Sequence, residues 1–325
     1  MQFHRYKSYL FAIFAISCLL SACTPPDHTE WNDETDERLR VVATFSIPSD
    51  FANEVAGDRI LLHTLVPRES DPHTFDPNPS DTRRLARADL ILEIGHDFEP
   101  WLNRLYRSSR SSARRGVLTE GIELLPVDEA SVHSRFLHEH KSAEMDPHVW
   151  HDVRHAKAMV RSIRDLLVEL DPGNAEHYTE NAARYLAELS DLDAWIIART
   201  ESLSAVERKL FTHHDVFQYF AGRYGFEVIG NALTAATTEV FDPSASQVGY
   251  QIQTLRAEGV PIVFPEYGGD SRLITRIANE AGARIGPPLY TGSLSKSDGD
   301  APTYVEMMRY NVDTLVRHLT AGNEG

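Results

Sequence analysis

Fifteen histidines and only two cysteines set the chemistry open to this 325-residue chain. One imidazole lies in ESDPHTFDPNPSD, residues 69–81, between Asp-Pro and Asn-Pro turns and directly after the apolar run RILLHTLVP. A proline beside an imidazole fixes the local backbone and reduces the entropy lost on ordering a ligand. The tripeptide DPH recurs at 146–148, within EMDPHVWHDVRHA. A third candidate is the His213–His214 pair of THHD, which ends the strand-like RKLFTH and precedes an aromatic helix. Zinc takes three or four such donors, about 2.0–2.1 Å away through imidazole nitrogen. The candidate ligands are therefore His73, His148 and one of His213 and His214. Two adjacent histidines cannot readily point the same way, so the other is left beside the site or exposed. Any one of them alone would read as a solvated turn residue.

The elements that must position these residues alternate between short apolar runs and helix-like stretches, the sequence form of parallel α/β layers. LRVVATFSI, RILLHTLVP, DLILEIG and GVLTEGIELLP are four strands, separated by helices such as PSDTRRLARA, capped by Ser80 or Asp81. From about Val153 to Leu203 the apolar residues keep helical spacing, with a break at Asp171-Pro172-Gly173. The strand–helix alternation then resumes with RKLFTH, FEVIGN, VPIVFPE and ARIGPPLY, and a helix closes the chain. The expected architecture is two α/β lobes, residues 39–168 and 204–325, each a small, mostly parallel sheet flanked by helices. A long rigid helix at 169–203 joins them. Open α/β sheets bind ligands outside the carboxyl ends of their strands. The histidines fall there, so a metal site is expected in the interlobe cleft.

The N-terminus carries Arg5 and Lys7, an apolar run from Tyr9 to Leu20, and small residues before Cys23. This is a secretory signal over residues 1–22. The ending LSAC resembles a bacterial lipobox, with cleavage before Cys23 and a lipid on its sulfur. Residues 23–38, polar, acidic and proline-bearing, then form a flexible tether. Removing the leader leaves 30 basic against 48 acidic side chains, a net charge of −18. Such a surface repels nucleic acid. Cys18 leaves with the leader and Cys23 carries lipid, so any metal chemistry uses nitrogen and oxygen donors.

Taken together and in order, SDPHTFDPNPSD, DPHVWHDVRHA, THHDVFQYFAGRYG, VFPE and TYVEMMRYNVDTLVRHL resemble the cluster A-I solute-binding lipoproteins of bacterial zinc and manganese ABC importers. The resemblance runs from about Val41 to the C-terminus. It implies a monomeric, extracytoplasmic, lipid-anchored receptor that hands its ion to a membrane permease, with His73, His148 and His214 as ligands. Manganese-type members usually carry glutamate at the third position. Histidine there favours Zn²⁺ over Mn²⁺. Many relatives take a fourth ligand from an aspartate in a Thr-Asp-Ser-Leu stretch, where this chain has YTGSLS and Gly292. Water, Glu266, Asp298 or Asp300 could complete the site, with water or Glu266 favoured. His133, His138 and His140 in VHSRFLHEHK resemble a short form of the histidine-rich, metal-collecting loop of zinc-type members.

His96 in IGHDFEPW is a further residue near the cleft, structural or beside the site. His151 and His155 stand without the acidic partner of an HExxH motif and read as helix-surface residues. With ordinary imidazole pKa values of about 6.5, metal binding should weaken near pH 6 and below. A rival from another class is a secreted zinc hydrolase, with three histidines, an open water position and Glu266 as base. No compact catalytic motif supports it.

Overall fold

The computed structural model describes residues 31, 35–127, 145–233, 238 and 243–320. Four parallel strands open the fold: β1 (Leu39–Ala43), β2 (Ile60–Thr64), β3 (Leu90–Glu93) and β4 (Arg114–Val117), in the order β2-β1-β3-β4. The crossovers are α1 (Ser46–Ala56), α2 (Pro79–Arg87) and α3 (Leu102–Ser109). Val41, Val42, Ala43, Leu90, Ile91 and Leu92 are fully buried, as continuous apolar strands covered on both faces require. The cap of α2 is Asn78 and not Ser80 or Asp81. Its side chain accepts the Ser80 N–H, Pro79 fills the first helical position, and Asp81 reaches back to the Asn78 N–H. The fourth strand also ends at Val117, earlier than the apolar run suggests.

After α4 (Val153–Leu170) and the Pro172–Asn174 turn comes α5 (Ala175–Thr200), about 39 Å long at 1.5 Å per residue. Tyr178, Ala182, Tyr185, Leu189, Leu192 and Ile196 recur three and four residues apart and are all buried. That single stripe lets α5 pack along α1, α4, α9 and α6 as one rod.

The second half contains β5 (Lys209–Thr212), α6 (Gln218–Tyr224), β6 (Glu227–Asn231), α7 (Ala245–Glu258), β7 (Ile262–Val263), α8 (Arg272–Ala281), β8 (Arg284–Ile285) and α9 (Tyr304–Thr320). β5 pairs with β6 and β7 with β8, and a parallel bridge from Thr212 to Phe264 places β5 beside β7. The order β6-β5-β7-β8 repeats that of the first sheet, so the strands again present their carboxyl ends to one crevice. β7 and β8 are shorter than the apolar runs that encode them, because Pro265 and Pro287–Pro288 lack the N–H a regular ladder needs, and pairing resumes at a parallel bridge between Glu266 and Leu289. Finally α9 returns to the first half, where the Asp50 carboxylate accepts the Tyr304 N–H at 2.9 Å. One core runs from the first sheet through α4, α5 and α9 into Phe217 and Phe220, so the halves share apolar packing at the base of the crevice. A smaller core lies between the second sheet and helices α7 and α8.

Candidate metal centre

Both DPH tripeptides fold into the same turn. The Asp71 carboxylate accepts the His73 N–H at 2.9 Å, and Asp146 accepts the His148 N–H at 2.9 Å. This is an aspartate turn: the side chain two residues back closes the loop while proline holds the middle position. The Trp101 indole N–H donates to the Pro72 carbonyl at 2.8 Å, fixing the first turn to the start of α3. His214 follows β5 directly, its backbone N–H donating to Glu266 Oε1 at 3.1 Å across the sheet.

These turns bring His73, His148 and His214 together, each at most 3 % exposed, with donor atoms within 4.8 Å of one another. His73 Nε2 and His148 Nε2 are 3.3 Å apart. Two nitrogens bound about 2.05 Å from one tetrahedral zinc would stand about 3.3 Å apart. His214 Nε2 is buried without a hydrogen-bond partner. The other ring nitrogens of two of the three are held by carboxylates. His148 Nδ1–H donates to Asp146 Oδ1 at 2.8 Å, and His214 Nδ1–H donates to Glu266 Oε1 at 2.9 Å. Fixing Nδ1 this way sets the tautomer and leaves the Nε2 lone pair for an ion. Glu266 is fully engaged, since the Thr291 hydroxyl donates to its second oxygen at 2.7 Å.

Aromatic rings wall the cluster. Phe98 lies edge-on to His73 at 4.6 Å, and Trp150 lies 5.3 Å from His148. The Trp150 indole donates to the Thr291 carbonyl, tying the first half to the segment before α9. Burial, and then the charge of His214, pulls His73 down to about 4; burial holds His148 well below the usual imidazole range. Burial also disfavours charge on His214, but Glu266 outweighs it and raises its pKa. Glu266 is pushed up by burial and more strongly down by His214, to about 2.

Gly292 borders a cavity of about 20 Å³ with His73, His214, Glu266 and Thr291, room for one water. A Cβ on Gly292 would meet Pro72 at 3.2 Å. Asp298 and Asp300 are exposed and belong to neither donor cluster among the described residues. His96 is exposed, in a left-handed turn with φ of 52°, and Phe98 two residues on reaches the imidazoles instead. His213 is buried beside the Glu266 carboxylate. Cys23, His133, His138 and His140 lie outside the described residues.

His151 is not a helix-surface residue. It ends the Val149–His151 turn before α4, is fully buried against Phe217 and Trp150, and neither ring nitrogen has a hydrogen bond. His155 is half-buried, edge-on to Tyr219. Burial holds His151 down to about 3, so it stays neutral in the folded protein while the unfolded chain takes up a proton below about pH 6.5. Stability is lost as pH falls through that window. His151→Leu should therefore raise the unfolding free energy at pH 5 by about 2 kcal/mol more than at pH 8. Urea denaturation of metal-free protein at both pH values tests this, and equal gains at both would exclude it.

Asp71 and Asp146 are the positioning residues that sequence reading missed; their signal was the residue two places before each histidine. Among the described residues, no helix is long and apolar enough to cross a membrane.

Comparison with known proteins places this geometry. Residues 41–318 match the family described as Zinc-uptake complex component A, periplasmic. A manganese-binding lipoprotein, MntA, of Halalkalibacterium halodurans is 30% identical over 96% of this chain and 98% of its own length. An iron-binding protein, YfeA, of Yersinia pestis is 31% identical over 95% of this chain and 94% of its own. Among solved structures, the periplasmic zinc binding protein TroA of Treponema pallidum superposes with a TM-score of 0.77 at 27% identity, over 87% of this chain and 99% of that one. A Mn-bound periplasmic metal binding protein of Candidatus Liberibacter asiaticus gives 0.75 at 26% identity, over 87% and 100%. These names point to metal-binding receptors of ABC importers and away from a hydrolase. The chain belongs to the zinc-uptake component A family, the extracytoplasmic metal-binding receptors of ABC importers.

Proposed function

We propose that the chain captures Zn²⁺ through His73, His148 and His214 and delivers it to the permease of an ABC importer. The reading is carried by the 3.3 Å separation of His73 Nε2 and His148 Nε2, beside the unpartnered His214 Nε2. With the ion held by the three imidazoles, Glu266 keeps His214 in place and is not itself a ligand; water in the cavity beside Gly292 takes the fourth position. After removal of residues 1–22, a lipid on Cys23 and the tether at 23–38 hold the monomeric receptor at the membrane. The lobes at 39–168 and 204–325, joined through 169–203, enclose the ion. His133, His138 and His140 collect metal for this site.

A second reading, manganese, is favoured by the printed names of several relatives, including manganese-binding lipoproteins. Against it, the three converging donors are imidazoles, which suit zinc, whereas manganese prefers oxygen-rich sites. Metal-stripped protein dialysed against equal, limiting Zn²⁺ and Mn²⁺ should retain about one zinc per chain by mass spectrometry, with negligible manganese. Preferential retention of manganese would overturn the zinc assignment and leave the receptor function standing.

A further inference from the structure

Beside the three-imidazole cluster lies a second set of donors. His213, His214 and Glu266 are all buried, and each offers a donor atom within 4.8 Å of the others. His213 is 4 % exposed, and its Nδ1 has no hydrogen-bond partner. A buried ring nitrogen left without a partner is unfavourable, and nothing in the first cluster uses it. A Cβ on Gly269 would lie 3.3 Å from His213 Nδ1 and Cε1, so it is the bare backbone of that loop that packs against this edge of the ring.

The two sets differ in where their residues come from. His73 and His148 belong to the first half of the chain, so the first cluster straddles the crevice. His213, His214 and Glu266 all lie at the carboxyl ends of β5 and β7, within the second half alone. Any separation of the halves would take two imidazoles from the first cluster and leave the second set whole. The sets share His214, so they hold one ion between them.

We propose that His213, His214 and Glu266 form a second, weaker position for the same divalent ion, occupied when His73 and His148 have let go. This rests on the metal-receptor reading above. Two imidazoles and a carboxylate suit a borderline cation such as Zn²⁺ or Co²⁺. Glu266 then turns from acceptor of the His214 Nδ1–H to ligand, and His214 Nδ1 gives up its proton to solvent as the ion binds.

Co²⁺ titrations followed by visible absorption and equilibrium dialysis test this. The His73→Ala/His148→Ala variant should still bind one Co²⁺ per chain, about 1,000-fold more weakly than the parent, and adding His213→Ala or His213→Gln should weaken it at least about tenfold more. In the parent background, His213→Ala should change affinity less than about threefold. No further loss on removing His213 from the double variant would overturn the second position alone. So would a loss in the parent as large as that of His148→Ala, which would make His213 a ligand of the first position. Parent-like affinity in the double variant would instead overturn the three-imidazole reading, and this one with it.

Discussion

His148→Ala should lower zinc affinity by about two to three orders of magnitude. Structural zinc sites with four ligands hold the ion with roughly 10–16 kcal/mol, or roughly 3–4 kcal/mol per ligand, and each 1.4 kcal/mol is tenfold in affinity. His148 is 1 % exposed and its ring is held by Asp146 from one side and by Phe98 and Trp150 from others, so no neighbouring side chain can swing in to replace it. The same loss appears as lost protection against heat. Ligand at about 1,000 times its Kd stabilises the native state by about 4 kcal/mol, which for a chain of this size raises Tm by roughly 10 °C. At that zinc concentration the variant is about half to nine-tenths occupied and should keep only about a tenth to a third of the parent's shift. Thermal unfolding with and without zinc reads this directly, with the metal-free Tm reporting whether the variant folds. An undiminished shift in a folded variant would remove His148 from the site.

Much of this arrangement was legible in the sequence, for identifiable reasons. Apolar runs without alternation marked strands buried on both faces, and the three-and-four spacing from Tyr178 to Ile196 marked a helix that packs along one stripe. The two DPH tripeptides announced rigid turns. The closing of each turn by its own aspartate was not legible, because it depends on a side chain folding back onto a backbone N–H. The burial of His151 was hidden for a similar reason: its neighbours suggested the start of a helix, whereas the chain makes one tight turn first and points the ring at Phe217. Glu266 and His214 are 52 residues apart, and only the pairing of β5 with β7 puts them in contact. Sequence spacing carries no record of such cross-strand neighbours, nor of the pKa shifts they cause.

Those shifts change the expected pH dependence. Three ordinary imidazoles would make zinc binding collapse together near pH 6. In the folded, metal-free protein His73 is held down to about 4 by burial and by the charge of His214, and His148 lies well below its usual range, so both are ready for metal near neutral pH. Of the three imidazoles only His214 has a raised pKa and so keeps a proton below it, because Glu266 overcomes the effect of burial. Zinc must displace that one proton, so below the raised pKa of His214 the affinity should fall about tenfold per pH unit, the slope of a single group. Glu266→Gln removes the carboxylate, and burial then lowers the His214 pKa. The variant should bind zinc about 10- to 100-fold more weakly at pH 8, where orientation of the ring is lost, with a visibly flatter profile toward pH 6. The stability of metal-free protein should follow the same pair. A raised histidine contributes below its unfolded pKa of about 6.5 and loses that contribution as pH rises through its folded value; a lowered glutamate contributes above about 4.3 and loses it as pH falls toward about 2. Glu266→Gln should therefore destabilise the metal-free protein most between about pH 4.5 and 6.5. Isothermal titration in buffers of different ionisation enthalpy counts the released proton; three protons, or a slope unchanged in Glu266→Gln, would mean that the carboxylate does not govern His214.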